Sequence, residues 1–308
     1  MVNKILVTGS LGQIGSYLCE ELLKNNKEVI GLDNETNICP NLPKNIKKIT
    51  VKGNIQDQTL TSSLIKDVDA VVHCAAQVSV EESIKRPCYD MENNIVGTVV
   101  LLHNAMKCGS LKRFVYLSSA ATYGTPVNLP IDENHPQNAL SPYGLSKLTG
   151  ERYAHMFWRL YQLPTTIIRP FNIYSKRSDP KSPYSGVITK FIDRVKSDEP
   201  PIITGDGEQT RDFIHVNDVI QMIRLVLEKK EAVGESFNCG SGKPVTINQL
   251  ADDIIKISQK NLKSIHIQER LGDISHSYAN LQKAKHLLNY KPQINLLNGL
   301  KEIMNFSE

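Results

Sequence analysis

Three side chains in two short segments have the chemistry of a proton-transfer site. In SPYGLSK, Tyr143 and Lys147 are four residues apart, so on a helix both side chains leave the same face. A phenol has a pKa of about 10, and an adjacent ammonium and a bound cation would favour the phenolate; reaching about 7 requires about 4 kcal/mol of differential stabilisation. Ser119, in SSAATYG, adds a hydroxyl. The spacing predicts a general base at Tyr143, although such a pair also arises by chance and needs support from the rest of the chain.

That support comes from a glycine turn near the start of the chain. VTGSLGQIG places Gly9, Gly12 and Gly15 between an apolar run and a helix-period segment. Glycines here allow a sharp turn and let a pyrophosphate approach the helix N-terminus, although a tight turn without a ligand would also use them. The next strand ends at Asp33, whose carboxylate can accept hydrogen bonds from ribose hydroxyls and repels a 2′-phosphate. The combination predicts dinucleotide binding and favours NAD over NADP.

The elements that position these residues alternate between strands and helices. Short runs rich in Val and Ile, such as KILVTG, EVIGLDN, DAVVHCAA and RFVYLSS, are separated by helix-period segments. This order predicts an α/β fold with a Rossmann-type doubly wound parallel sheet. One long helix is expected from Pro142 to Tyr161, with Ser141 as N-cap and Pro164 beyond its end. TTIIRPFNIY is expected to form one further strand.

A change of texture after residue 174 predicts a second unit. SKRSDPKSPYSG is polar, basic and rich in proline, and it is too long for a simple connection. We expect residues 1–174 to form the NAD-binding domain, with a return segment at about 208–240. Residues 175–207 and 241–308 are expected to form a smaller α/β C-terminal lobe that binds substrate.

Composition excludes several function classes. The 308 residues carry a net charge of +4 without any block of like charges, so neither a nucleic-acid arm nor a polybasic membrane patch is expected. No apolar stretch approaches the roughly 18 residues of a membrane span, and the N-terminus lacks a leader pattern, so we expect a cytoplasmic protein. The six cysteines show no CxxC spacing, which favours buried free thiols over disulfides and predicts no metal site.

Several motifs together resemble one enzyme family along the whole chain. They are, in order, TGSLGQIG, Asp33, CAAQVS, NNIVGT, LSSAATYG, SPYGLSK, RPFNIY, GDGEQTRDFIHVND and RLGD. The sequence resembles the extended short-chain dehydrogenases/reductases of the NAD-dependent epimerase/dehydratase family. Within it, the sequence is similar to the branch of UDP-glucose and UDP-galactose 4-epimerases and their N-acetylhexosamine relatives.

The resemblance implies a role for each member of the proton-transfer site. Tyr143 would take the proton of the sugar hydroxyl, Lys147 would bind the nicotinamide ribose and lower the tyrosine pKa, and Ser119 would hydrogen-bond the reacting oxygen. Hydride would pass from C4 of a UDP-hexose to tightly bound NAD and return to the other face of the 4-keto sugar. The implied reaction is a reversible C4 epimerisation.

The resemblance also implies a set of cofactor contacts. Two positions depart from the family: Asn54 stands where an Asp is common, and Val78 stands where some epimerases carry a Lys. The implied cofactor-binding residues are Gly9, Gly12, Gln13, Ile14, Gly15, Asp33, Asn34, Asn54, Ile55, Cys74, Ala75, Ala76, Asn94, Ser118, Tyr143, Lys147 and Pro170.

Substrate contacts follow from the same motifs. Arg211 and Arg270 resemble the arginines that clamp the diphosphate, which suits the planar guanidinium fork, and Arg177 is a further candidate. Asp273 resembles the acid that holds the uridine ribose. The small residue Ser277 leaves room beside C2, so N-acetylated sugars are expected as substrates alongside plain hexoses. The implied substrate-binding residues are Gln77, Ser79, Ser119, Tyr143, Asn172, Arg211, Arg270, Asp273 and Ser277.

Three other functions remain open. Dehydratases of the family carry an Asp-Glu pair directly after the hydroxyl residue, and here those positions are Ala120 and Ala121, which cannot transfer a proton. A nucleotide-sugar reductase would use the same three side chains but exchange its cofactor in each cycle. A non-catalytic NAD-binding protein would not need both Tyr143 and Lys147. The family commonly forms homodimers, so a homodimer built from NNIVGTVVLLHNAM and PYGLSKLTGERYAHMFWRL is also expected.

Overall fold

The computed structural model describes residues 2–179, 186–269 and 274–305. In chain order, the strands of these residues are β1 (Lys4–Thr8), β2 (Glu28–Asp33), β3 (Thr50–Lys52), β4 (Ala70–His73), β5 (Arg113–Leu117), β6 (Thr165–Pro170), β7 (Asn172–Tyr174), β8 (Ile202–Thr204), β9 (Thr210–His215), β10 (Ser236–Cys239), β11 (Pro244–Thr246), β12 (Ile265–Ile267) and β13 (His276–Ser277). The α-helices are α1 (Gln13–Lys24), α2 (Lys44–Lys48), α3 (Gln58–Ile65), α4 (Val80–Lys85), α5 (Pro87–Met91), α6 (Gly97–Cys108), α7 (Pro142–Tyr161), α8 (Val187–Lys196), α9 (Val216–Glu228), α10 (Ile247–Ser258), α11 (Gln282–Leu288) and α12 (Leu296–Asn305).

A seven-stranded parallel sheet in the order β10-β6-β5-β4-β1-β2-β3 forms the main layer. Side chains alternate between its two faces, and helices cover both faces, so most strands are buried on both sides. The edge strand β3 is partly exposed. Ile5 and Val7 of β1 pack in one core with α1 and α9, whereas Leu6 packs in a second core with α6 and α7. The predicted doubly wound sheet is therefore confirmed, and the chain reverses its direction of travel across the sheet between β1 and β4.

Helix α7 has the bounds that its capping residues predict. Its N-cap, Ser141, accepts a hydrogen bond at Oγ from the backbone N–H of Gly144 at 3.1 Å, and Pro142 occupies the first helical position. At the other end, Gln162 adopts a left-handed conformation with φ of 56°. Tyr143 and Lys147 consequently lie in the first two turns of the helix.

A smaller sheet lies beside the main one. Strand β9 pairs with β7, β11 and β13, and β8 pairs with β12 in a separate two-stranded sheet. The segment predicted as a single strand, TTIIRPFNIY, is divided at Phe171: β6 belongs to the main sheet and β7 to the smaller one. The N–H of Phe171 still donates to the main-sheet carbonyl of Cys239 at 2.9 Å, so the chain leaves the main sheet directly after this residue.

The expected return segment also divides between the two sheets. Strand β9 joins the smaller sheet, whereas α9 packs against α1 and β10 forms an edge of the main sheet. A strand-helix-strand pattern in a sequence does not predict which of the two sheets each strand joins, because apolar side chains are buried in both sheets.

Three further properties of the described residues concern membrane spans, metal sites and cysteines. No helix among the described residues is both long and apolar enough to cross a bilayer. Within the same residues, no group of three or more His, Cys, Asp or Glu side chains is arranged to hold a metal ion. All six cysteines are free. The prediction of buried thiols holds for Cys19, Cys39 and Cys239 but not for Cys74 and Cys108, which are partly exposed, or for Cys88, which is exposed.

Candidate active site

A cleft of about 490 Å³ lies at the carboxyl ends of the main-sheet strands. This is the edge where ligands bind in open parallel sheets, next to the point at which the strand order reverses. The cleft brings together most of the residues predicted from the sequence, namely Gly9, Gly12, Gln13, Ile14, Gly15, Asp33, Asn34, Asn54, Ile55, Cys74, Ala75, Ala76, Gln77, Ser118, Ser119, Tyr143, Lys147, Pro170 and Asn172.

Other predicted residues lie outside the lining of this cleft. Asn94 and Ser79 are buried behind it, where each hydrogen-bonds Gln77. Arg211 and Ser277 are register partners in the smaller sheet. Arg270 and Asp273 lie outside the described residues.

The glycine turn fits a pyrophosphate. Gly9 has φ of +67°, and a Cβ there would lie 2.8 Å from the backbone N of Ala75. A Cβ on Gly15 would lie 2.1 Å from the carbonyl oxygen of Gly9, so the turn closes only with glycine at both positions. Helix α1 begins at Gln13, within this glycine segment, with no side-chain cap and no acidic residue in its first turn. The free N–H groups and the helix dipole therefore favour an anion at this end of the cleft.

The end of β2 fits a ribose. Asp33 accepts a hydrogen bond at Oδ2 from the N–H of Leu11 at 3.0 Å and one at Oδ1 from the N–H of Glu35 at 2.8 Å. Burial raises the pKa of this carboxyl, and the two backbone bonds oppose that rise. Each oxygen keeps further lone pairs for a ligand in the cleft, and the acid is poorly suited to a 2′-phosphate. Together with the glycine turn, Asp33 would hold NAD.

Lys147 is almost fully buried, with 4% of its surface exposed. Its Nζ donates to the carbonyl oxygen of Leu117 at 2.7 Å. Burial lowers the pKa of Lys147 to about 8, and the nearby Cys74 and Asp90 oppose that shift. The ammonium is consequently held at the last residue of β5, next in the chain to Ser118.

Tyr143 hydrogen-bonds Ser119 at the same end of the cleft. Burial raises the pKa of Tyr143, the bond to Ser119 lowers it, and Asp90 raises it. The sequence predicts a lowered pKa, but Lys147 directs its ammonium to a backbone carbonyl and does not offset the burial. A phenolate at Tyr143 therefore needs a further positive charge.

The two serines that follow β5 face different partners. Ser119 has an extended backbone and accepts a hydrogen bond at Oγ from the N–H of Ala121 at 3.1 Å. The hydroxyl of Ser118 instead donates to the buried carboxylate of Glu151, which is paired with Arg169 at 2.8 Å. Ser119 is thus the hydroxyl that meets Tyr143, whereas Ser118 is fixed to the protein interior.

One buried residue of this site was missed by sequence reasoning. Asp90 accepts hydrogen bonds at Oδ1 from Gln77 Nε2 at 2.9 Å and from Asn94 Nδ2 at 3.1 Å. Asn94 lies in a single π-helical turn, Glu92–Val96, and also binds the backbone N and O of Gln77 at 2.8 and 2.9 Å. The signal in the sequence was the spacing of four residues between Asp90 and Asn94, which puts both on one helix face.

Acidic groups are sparse in the lining of the cleft. Ala120 and Ala121 follow Ser119 in a short 3₁₀ turn. Among the lining residues that the structure describes, the carboxyl groups are Asp33, at the end of β2, and Asp179, in the loop after β7. Positions 120 and 121 therefore supply neither an acid nor a base to a bound molecule.

Comparison with known proteins agrees with this geometry. The sequence profile of the NAD dependent epimerase/dehydratase family matches residues 5–240. A Methanocaldococcus jannaschii protein with the name "Putative UDP-glucose 4-epimerase" is 41% identical over 304 residues, which cover 98% of this chain and 97% of that protein.

Two solved structures superpose along nearly the full length. The UDP-glucose 4-epimerase of Thermotoga maritima with UDP-glucose has a TM-score of 0.93 and 33% identity, with 98% of each chain covered. The UDP-N-acetylglucosamine 4-epimerase of Methanobrevibacter ruminantium in complex with UDP-N-acetylmuramic acid has a TM-score of 0.93 and 31% identity, with 99% of this chain and 98% of the other covered. The chain is therefore an extended short-chain dehydrogenase/reductase of the NAD-dependent epimerase/dehydratase family, and its cofactor is NAD.

Proposed function

We propose that the protein catalyses the reversible C4 epimerisation of a UDP-hexose through a transient 4-keto sugar. The observation that carries this proposal is the meeting of Ser119, Tyr143 and Lys147 at one end of the cleft, followed by Ala120 and Ala121. Such a site can move a proton to and from a hydroxyl but has no acid or base at those two positions for eliminating water. The names of the similar proteins support the same reaction class.

The side chains divide the proton chemistry between them. Ser119 hydrogen-bonds the sugar O4, and Tyr143 removes the O4 proton while C4 is oxidised. Bound NAD supplies the hydride acceptor and donor. After the 4-keto sugar presents its other face, Tyr143 returns the proton to O4. Lys147 keeps a positive charge close to Tyr143. The proton and the hydride that leave the substrate both return to it, so the reaction has no net change in redox state.

Two paired strands of the smaller sheet, β7 and β9, would hold the diphosphate. Asn172 lines the cleft and donates from Nδ2 to the carbonyl of Asp212 at 3.0 Å. Its register partner, Phe213, stands two residues after Arg211, so both side chains come from adjacent strands. Arg211 is held by the carbonyl of Thr210 at 2.9 Å. With Arg270 and Asp273, these residues are proposed to bind the UDP moiety.

The size of the sugar pocket would depend on Ser277. This small residue is the register partner of Arg211, which connects it to the proposed diphosphate site. We expect UDP-N-acetylglucosamine to be accepted alongside UDP-glucose. Turnover of UDP-glucose without any turnover of the N-acetylated sugar would refute this part of the proposal, and Ser277→Tyr should reduce turnover of the larger substrate selectively.

Product analysis tests the reaction directly. The purified protein is incubated with UDP-glucose, UDP-galactose and both N-acetylated forms, without added NAD. Interconversion of C4 epimers is the expected result. A product that has lost water would indicate a dehydratase, and a requirement for stoichiometric NADH or NADPH would indicate a reductase. No conversion of these four sugars or of UDP-glucuronate, the substrate named for other similar proteins, would indicate a binding protein.

A homodimer is proposed as the assembly. Helices α6 and α7 pack side by side, and α7 exposes Met156 and Leu160, with 38% and 64% of their surfaces accessible. The π-helical turn before α6 adds Val96, which is 43% exposed. Pairing of this face with a second copy would cover these apolar side chains. Light scattering on the eluting protein checks the mass, and Leu160→Asp should shift it towards the monomer.

A further inference from the structure

The loop after β7, residues 175–179, is fastened to the first turns of α1. Gln13, the first residue of α1, donates from Nε2 to Ser175 Oγ and to Ser178 Oγ, each at 2.9 Å. These partners are 162 and 165 residues away in the chain, so the contact joins segments that sequence reasoning treats separately. On the far side of the loop, Lys176 pairs with Glu302 of α12 at 3.1 Å.

Arg177 makes the strongest part of this attachment. Only 8% of its surface is exposed. Its Nη1 donates to Ser16 Oγ at 3.0 Å, its Nη2 pairs with Glu20, and its guanidinium lies 4.1 Å from the ring centre of Tyr17. The sequence suggests Arg177 as a diphosphate clamp, but these contacts direct its side chain to α1. A buried planar guanidinium with a charged partner and an aromatic neighbour is a rigid connection.

The attachment lies against the part of the cleft that fits the pyrophosphate. Gln13, Arg177, Ser178 and Asp179 all line the cleft. The uncapped N–H groups of α1 belong to the same first turn that Gln13 opens. A dinucleotide whose phosphates bind these N–H groups would therefore lie next to the loop 175–179, which is hydrogen-bonded to the same helix.

We propose that the contacts of Gln13 and Arg177 with this loop form a latch that retains NAD between turnovers. The inference rests on NAD as the cofactor of the proposed reaction. Because an epimerase returns the hydride to its own substrate, it has no need to release NAD, whereas a reductase must open the same region in every cycle. The latch would act on the cofactor and not on the sugar, so it adds to the proposed function without changing the proposed substrate.

Neighbouring glutamates on α1 provide a matched test. Among the described residues, Arg177 lines the cleft and its partner Glu20 does not. The next residue, Glu21, pairs with Arg224 of α9 at 2.7 Å, and neither of these two is part of the described lining. Holoenzyme is mixed with excess radiolabelled NAD, without sugar, and the rate of label uptake is measured. Glu20→Gln should accelerate exchange by about tenfold to a hundredfold, because the ion pair with Arg177 is replaced by a weaker contact with a neutral amide. Glu21→Gln should leave the rate unchanged.

Two results would overturn the latch. One is a Glu20→Gln protein that has the parent's unfolding midpoint and exchanges NAD at a rate within about twofold of the parent, far below the change expected from weakening a contact between charged groups. The other is equal acceleration by Glu21→Gln. If Glu20→Gln does not fold, Arg177→Lys decides, since it keeps the charge but loses the planar fork. Faster NAD exchange in a protein that converts no UDP-sugar would support the latch and refute the proposed reaction.

Discussion

Breaking the buried ion pair of Glu151 and Arg169 should destabilise the protein strongly. The two side chains are 1% and 4% exposed. Arg169 donates to Glu151 from Nε at 3.0 Å and from Nη2 at 2.8 Å, and from Nη1 to the hydroxyl of Tyr123 at 2.9 Å. Removing one partner leaves the other charge buried without compensation, which costs about 3–5 kcal/mol in such pairs. The pair also connects β6 to α7, which carries Lys147, and Glu151 accepts the hydrogen bond of Ser118, so the loss would reach both residues of the cleft.

Chemical denaturation of a double-mutant cycle measures this cost. Glu151→Gln keeps the shape of the side chain but removes its charge, and Arg169→Met removes the guanidinium. Each single variant should lose about 3–5 kcal/mol of unfolding free energy, and the double variant should lose less than the sum because no unpaired charge remains. Arg86→Met is a suitable control, since its pair with Glu82 is 59% and 27% exposed, and such pairs contribute about 0.3–0.5 kcal/mol.

The reasoning would be refuted by a small effect of the single variants. A Glu151→Gln protein that loses less than about 1 kcal/mol would behave like one with an exposed pair. Additive losses in the cycle would likewise show that the two charges do not depend on each other. If Glu151→Gln lost activity without losing stability, Glu151 would have a role in the reaction and not in stabilising the fold.

Three further predictions concern the cleft. Tyr143→Phe should lower kcat by about a hundredfold to ten-thousandfold, the range for a general acid–base residue, with UDP-sugar binding retained in calorimetry; undiminished turnover would exclude Tyr143 as the base. Gly15→Ala should abolish NAD retention on a desalting column, because its Cβ would lie 2.1 Å from the carbonyl oxygen of Gly9; normal retention would contradict the tight turn. Since burial lowers the pKa of Lys147 to about 8, the unfolded chain binds a proton at this residue that folded, NAD-free protein lacks between about pH 8 and the unfolded pKa of about 10.4. Lys147 therefore contributes a gain in stability as pH rises through this window, opposite in sign to the loss contributed by the buried thiols, whose pKa values burial raises. Urea unfolding of Lys147→Met, compared with the parent across the same pH range, checks that this gain disappears.

Local signals predicted the elements that carry the site. Ser141 and Pro142 determine where α7 begins, because an N-cap side chain and a proline at the first helical position act within one turn. The strand that ends at Asp33 was likewise readable from its short apolar run. These features depend on neighbours in the chain, so a single sequence contains the information needed to place them.

Contacts between distant segments could not be predicted in the same way. Arg177 was interpreted from its motif as a phosphate ligand, but its partner Glu20 is 157 residues away. The spacing between Asp90 and Asn94 was too weak a signal to identify Asp90, because a carboxylate in a polar segment is usually exposed, and only the packed structure shows that Gln77 and Asn94 surround it. The division of β6 from β7 depends on their pairing with strands that are distant in the chain, β5 for the first and β9 for the second, and a single sequence does not show that pairing.

The π-helical turn at Glu92–Val96 determines where the helix that contains it can lose a residue. Backbone from Pro87 to Cys108 is helical throughout, and the wide turn holds one residue more than an α-helical turn. Removing one residue inside the turn would restore a regular α-helix and leave the orientation of α6 unchanged, although it would alter the turn that presents Asn94 to Gln77. Removing one residue at the start of α6 would instead rotate the rest of that helix by about 100° and take Leu101 and Leu102 out of the core. A single-codon deletion in α6 would therefore remove the packing that supports the nucleotide cleft, whereas one in the π-turn would act on the contact with Gln77.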